Sequence, residues 1–125
     1  MGNRGNVKIT FNSASAPIYF YAHNHGSYLP GIVWEAIKRK QRWNDPAYLA
    51  RIIFSEMLKA DGTGSLSSEY GFGIAPYICD NEHPIIHVNC ESKTIRYEDL
   101  DGNPAMPIEW TFSAYVGEPF PKEDW

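Results

Sequence analysis

Ile18-Tyr19-Phe20-Tyr21-Ala22-His23-Asn24-His25 is the stretch whose reading decides the fold. Side chains along a strand alternate between its two faces, so Ile18, Phe20 and Ala22 form an apolar side while Tyr19, Tyr21 and His23 form a polar aromatic one. A strand of this kind belongs to a sheet covered by helices on one face only. Upstream, Val7, Ile9 and Phe11 alternate with Lys8, Thr10 and Asn12, and the small residues 13–16 make the turn of a β-hairpin.

Downstream the period changes from two to that of a helix. Pro30 suits a first turn, and Ile32, Val33, Ala36 and Ile37 make an apolar stripe in a helix over 30–41. Lys38, Arg39, Lys40 and Arg42 then complement the helix dipole. Asp45-Pro46 reads as N-cap and first residue of a second helix. Leu49, Ala50, Ile52, Ile53, Phe54, Met57 and Leu58 cover most of its circumference, which makes it the expected central, buried helix. Tyr48, Arg51, Ser55 and Lys59 form its polar side. The Gly- and Ser-rich residues 61–69 form a surface connection, with a lid as the functional alternative.

Strands over 72–79, 85–90 and 94–98 read as a three-stranded meander, with turns at 80–84 and 91–93. After a loop over 99–107, Ile108, Trp110, Phe112 and Ala114 alternate with Glu109, Thr111, Ser113 and Tyr115 in a final strand. The expected order is ββααββββ: an α+β fold in which a single antiparallel sheet carries two helices packed on one face. Residues 1–116 form the domain and 117–125 a loosely attached tail.

Composition narrows the function classes. A chain of 125 residues, 43% hydrophobic and 14% aromatic, has the material for one core. Eleven basic against fifteen acidic residues give a net charge of −4, which argues against long nucleic acid as a partner. A small anion needs only two or three converging cations and remains a fitting ligand. No run approaches the roughly 20 apolar residues of a membrane span and no secretory signal is visible, so a cytoplasmic, non-membrane protein is expected. Cys79 and Cys90 are then expected as reduced thiols, and their spacing is not that of a zinc knuckle.

The uncovered sheet face is the natural candidate site. It carries Tyr19, Tyr21, His23 and His87, and Arg4, Arg51 and Arg96 supply guanidinium groups for an anion. A polar aromatic face of this size also predicts a homo-oligomer. His23-Asn24-His25, continued as a strand, would turn both imidazoles to the same side. That arrangement opens either a metal site, for which a third ligand is missing, or an acid–base pair for cleaving a phosphodiester. Gly71-Phe72-Gly73 reads as a bulge and Asp80-Asn81-Glu82-His83 as turn chemistry. No metal and no cofactor is assigned.

The opening Met1-Gly2-Asn3-Arg4-Gly5-Asn6-Val7, the segment Ile18 to Gly26, the run Tyr48-Leu49-Ala50-Arg51-Ile52-Ile53, and Gly71-Phe72-Gly73-Ile74 with Asp80-Asn81 together resemble a family of small phage and prophage proteins that begin with Gly-Asn-Arg. The resemblance covers roughly residues 1–90. Family members often carry Trp after the first histidine, where this chain has Asn24 and then His25, which leaves His23 the better candidate of the two. The resemblance implies a phage accessory protein acting in a bacterial host cell. Phages sequester nucleotide immune signals with small oligomeric proteins whose pockets combine aromatic stacking with Arg–phosphate contacts. The expected function is therefore capture of a small anionic, nucleotide-like ligand without catalysis. The alternatives are a hydrolase using His23 and His25, or an inhibitor that binds a host defence enzyme.

Overall fold

The computed structural model describes residues 3–60 and 71–121. Six strands form one mixed sheet: β1 (Gly5–Thr10), β2 (Ile18–Ala22), β3 (Phe72–Ala75), β4 (Ile85–Asn89), β5 (Thr94–Glu98) and β6 (Pro104–Thr111). Helices α1 (Leu29–Lys38), α2 (Pro46–Ala60) and α3 (Phe112–Gly117) pack on one face of it. The α+β class and the one-sided helix layer agree with the alternation read at Tyr19 to His23. The expected 61–69 connection and the last residues of the expected tail lie outside the described residues.

The sheet order is β3-β2-β1-β4-β5-β6, and this corrects the expected all-antiparallel sheet. β1 and β4 run parallel, with Val7 opposite Ile86 and Ile9 opposite Val88, while every other pair is antiparallel. Two antiparallel meanders, β1-β2-β3 and β4-β5-β6, thus meet along one parallel seam. The residue-72 strand pairs with β2, not with the strand at 85, so the expected hairpin about 80–84 is instead a crossover beneath β2 and β1. Pro76, which has no N–H to give a ladder, follows the last residue of β3.

Asn6 anchors this crossover. Its side chain is fully buried, donates to Cys79 O, Asp80 O and Asn81 Oδ1, and accepts from Cys79 N at 3.3 Å. Arg4 adds a reciprocal pair: its N–H donates to Glu82 Oε1 at 2.9 Å and its carbonyl accepts from Glu82 N at 2.9 Å. A buried amide satisfied from both ends serves here to hold a loop in register.

α1 is the central helix, a second correction. Eight of its residues are buried because α2 and α3 flank it, whereas Leu58 of α2 is exposed. The α2 start is as expected, with Asp45 Oδ1 accepting from Tyr48 N and its carbonyl from Leu49 N. The basic cluster after α1 is engaged locally: Lys38 lies over Trp34, Arg42 over Tyr48, and Arg39 pairs with Glu56. Cys79 and Cys90 are both free thiols, and burial pushes the Cys90 thiol up to about 11.

The final strand stops at Thr111, where alternation had predicted strand to Tyr115. Thr111 Oγ1 accepts from Ala114 N at 3.1 Å as an N-cap, and Phe112 and Tyr115, three apart, enter the core on one side of α3. Residues beyond 116 also pack: Trp34 Nε1 donates to Glu118 O, and Phe120 meets Trp34 edge-on at 5.3 Å. The segment 117–121 is therefore seated on α1, contrary to the loose tail expected there. Among the described residues no helix is long and apolar enough to cross a membrane.

A tight backbone crossing joins the 3-10 turn Gly26–Tyr28 to β1. A Cβ on Gly26 would lie 2.7 Å from the Arg4 carbonyl carbon and from Gly5 N, and Gly26 N already donates to Asn3 O at 2.6 Å. Gly26→Ala is expected to cost about 1–3 kcal/mol, since backbone cannot yield as a side chain does. Gly73→Ala, where an added Cβ meets nothing within 4 Å, should stay within about 0.5 kcal/mol. Urea denaturation of both variants measures the contrast, and equal losses would remove the close-approach explanation.

Candidate functional site on the uncovered sheet face

The face opposite the helices bears a row of side chains placed by strand register, which ends at Glu109 of β6 opposite Arg96. Tyr19 of β2 sits opposite Lys8 of β1, Lys8 opposite His87 of β4, and His87 opposite Arg96 of β5. With neighbouring strands about 4.8 Å apart, the row runs about 14 Å across the sheet from Tyr19 to Arg96. Three of its members, Tyr19, His87 and Arg96, are residues that the sequence marks as ligand candidates. Lys8 is not, although the same alternation that selects Tyr19 puts it on this face.

Glu98 organises the row. This carboxylate is 1% exposed and receives Arg96 Nε at 2.6 Å, His87 Nδ1 at 2.6 Å and Lys8 Nζ at 3.2 Å. Burial alone would raise its carboxyl, but hydrogen bonds from His87, Arg96 and Lys8, with the His87 charge, overcome that and hold it lowered to about 2. Lys8 and Arg96 against Glu98 leave one net positive charge when His87 is neutral, and Glu109, opposite Arg96 on β6, faces it. On the other side of the ring, His87 Nε2 lies 2.7 Å from Thr10 Oγ1. Arg96 Nη2 reaches Gly102 O at 3.3 Å, in a loop shaped by Asp99 Oδ1 accepting from Asp101 N and Asn103 N.

Beside the row the crossover leaves an open cleft of about 730 Å³ lined by Tyr21, Tyr77, Cys79, Asp80 and Leu100 among others. Tyr21 is half-buried, and its hydroxyl lies 2.9 Å from His23 Nδ1, which Arg4 Nε also approaches at 3.4 Å. An arginine only donates, so Nδ1 is the acceptor in that contact. Burial raises the Tyr21 phenol; Arg4 opposes this, and Asp80, Cys79 and Glu82 add to it. Tyr21 thus remains a protonated donor. Arg4, Tyr21 and His23 form one rim, adjoining the Tyr19–Lys8–His87–Arg96 row.

His23, His25 and Arg51 are not part of the row. β2 ends at Ala22, so alternation no longer governs 23–25: His23 bonds Tyr21, while His25 stacks on Tyr28 at 4.1 Å and meets Phe72 edge-on. The imidazoles thus lie in different surroundings, Tyr21 and Arg4 at His23, Tyr28 and Phe72 at His25. Arg51 lies exposed on α2, in the helix layer, and joins none of the row. Among the described residues no three His, Cys, Asp or Glu side chains converge as metal ligands.

Sequence reading missed Lys8, Thr10 and Glu98. Alternation along β1 marks the first two and alternation along β5 sets Glu98 on the face of Arg96, but nothing local marks its burial, because a strand-end glutamate is ordinarily solvated. A second concavity of about 490 Å³ lies at Tyr97, Trp110, Tyr115 and Met106, where the β5/β6 register shifts between Arg96 and Glu98. Its lining is apolar and aromatic apart from Glu118, with no cation among the lining residues. No protein-family model, no curated protein and no solved structure matches the chain.

Proposed function

We propose that this protein captures a small anionic, ring-bearing molecule of nucleotide type on the sheet face opposite its helices, where Lys8 and Arg96 are half-buried and Tyr19 and His87 buried. The observation that supports this is the register row Tyr19–Lys8–His87–Arg96, in which one carboxylate gathers two permanent cations and an imidazole beside an aromatic-lined cleft. Glu98 consumes one donor from Lys8 and one from Arg96, and each side chain has further donors for an oxyanion. Tyr21 and Tyr77 offer faces for a base. Retention of a nucleotide immune signal is the role this supports in the phage setting that the resemblance implies.

Thermal shift and calorimetry with mono-, di- and cyclic nucleotides test the reading. Arg96→Ala should weaken binding about 10- to 100-fold, the range for a lost charge-assisted hydrogen bond. Arg51→Ala should leave it within about twofold, being a surface change on the other layer. The reading fails if no nucleotide binds, or if Arg51→Ala weakens binding as much as Arg96→Ala. Native mass measurement of the same samples reports copy number. Exposed Ile74 on edge strand β3, and Met106 and Ile108 on edge strand β6, support the association of copies expected from sequence.

A further inference from the structure

Thr10, His87 and Glu98 stand in a line that anion capture does not require. Thr10 Oγ1 is 2.7 Å from His87 Nε2, and His87 Nδ1 is 2.6 Å from Glu98 Oε2. Glu98 is ionised and can only accept, so the proton between them belongs to Nδ1. In the neutral ring Nε2 is then bare and takes the hydrogen bond of the Thr10 hydroxyl. A hydroxyl held on an imidazole whose far nitrogen is fixed by a buried carboxylate is the arrangement that activates an alcohol nucleophile.

The elements make this line rigid. Thr10 ends β1, His87 is in the middle of β4 with 8% exposure, and Glu98 ends β5 with 1% exposure. Three hydrogen-bonded strands fix their spacing, and Arg96 and Lys8 keep the carboxylate from turning. Thr10 is only half-buried, so its side chain is not sealed from solvent. Lys8 lies two residues before Thr10 on the same strand face, and its ammonium favours an electrophile that carries or develops negative charge on oxygen.

We propose that Thr10 is a nucleophile for phosphoryl groups, with His87 as its general base and Glu98 as the positioning residue. In the step, the Thr10 Oγ–phosphorus bond forms as the bond from phosphorus to its leaving group breaks. The hydroxyl proton moves to His87 Nε2, and the leaving group departs with the bonding pair and takes that proton if it is an alkoxide. The substrate class, a phosphate ester, rests on the capture reading; the reactivity of Thr10 does not.

Diisopropyl fluorophosphate separates the two, because it offers phosphorus and fluoride without any nucleotide part. Peptide mass mapping of the treated full chain should place one diisopropylphosphoryl group on Thr10, with fluoride released. Thr10→Val, which keeps the side-chain shape, should abolish the adduct, and Thr10→Ser should retain it. His87→Gln should slow labelling about 100-fold or more, the contribution of a general base. Circular dichroism of each variant establishes that it is folded. An unlabelled Thr10 in the wild type, or labelling equally fast in His87→Gln, overturns the proposal. Labelling without nucleotide binding would uphold the nucleophile and remove the capture reading; binding without labelling does the reverse.

Discussion

Glu98→Ala is expected to lower the unfolding free energy by about 3 kcal/mol or more, the low end of what removing one partner from a buried ion pair costs. The loss comes less from the missing attraction than from what stays behind. His87 would keep Nδ1 facing an empty site, and the Lys8 and Arg96 heads would lose the carboxylate on which they converge. Lys8 and Arg96 side chains are 20% and 32% exposed and can turn toward water, which limits the damage. Glu98→Gln keeps the shape and one acceptor oxygen, and should cost about half as much. Urea denaturation with an unchanged slope measures both; a Glu98→Ala loss below about 1 kcal/mol would show that the cluster does not depend on its carboxylate.

Acid should then destabilise the protein through this one side chain. Its folded carboxyl is lowered from 4.5 to about 2, so its contribution is fully present above 4.5 and is lost as pH falls toward 2. That displacement corresponds to about 3 kcal/mol, since each tenfold change in proton affinity is about 1.4 kcal/mol. The stability gap between wild type and Glu98→Gln should therefore close between pH 6 and pH 2. A gap that stays constant across this range would place the acid sensitivity elsewhere. The same titration bears on the Thr10 relay, because protonated Glu98 no longer compels the proton onto His87 Nδ1.

Much of the helix layer and half of the sheet were legible residue by residue. Asp45-Pro46 declared the start of α2, and Val7/Ile9 with Phe20/Ala22 declared the core side of the first hairpin. Where reading failed, a local pattern met a longer-range competitor. Ile108 to Tyr115 alternates like a strand, yet the Thr111 hydroxyl caps a helix that places Phe112 and Tyr115 in the core. His23 and His25 look like a same-side pair only while the chain stays a strand, and it leaves the sheet at Ala22. Leu58 counts as apolar in any sequence pattern, but α1, not α2, occupies the middle of the helix layer.

Alternation is a property of one strand and depends only on neighbouring residues, so the sequence by itself determined which side chains face the helices and which, among them Tyr19, Tyr21, Lys8 and Thr10, face away. Strand order is a property of the whole chain. Only the tertiary structure decided that β1 and β4 lie parallel, because that seam depends on Asn6 holding a crossover more than seventy residues distant. The same seam brings Lys8 and Thr10 beside His87, and adds Lys8 to a Glu98 that its own strand sets beside Arg96 and the β4–β5 hairpin beside His87.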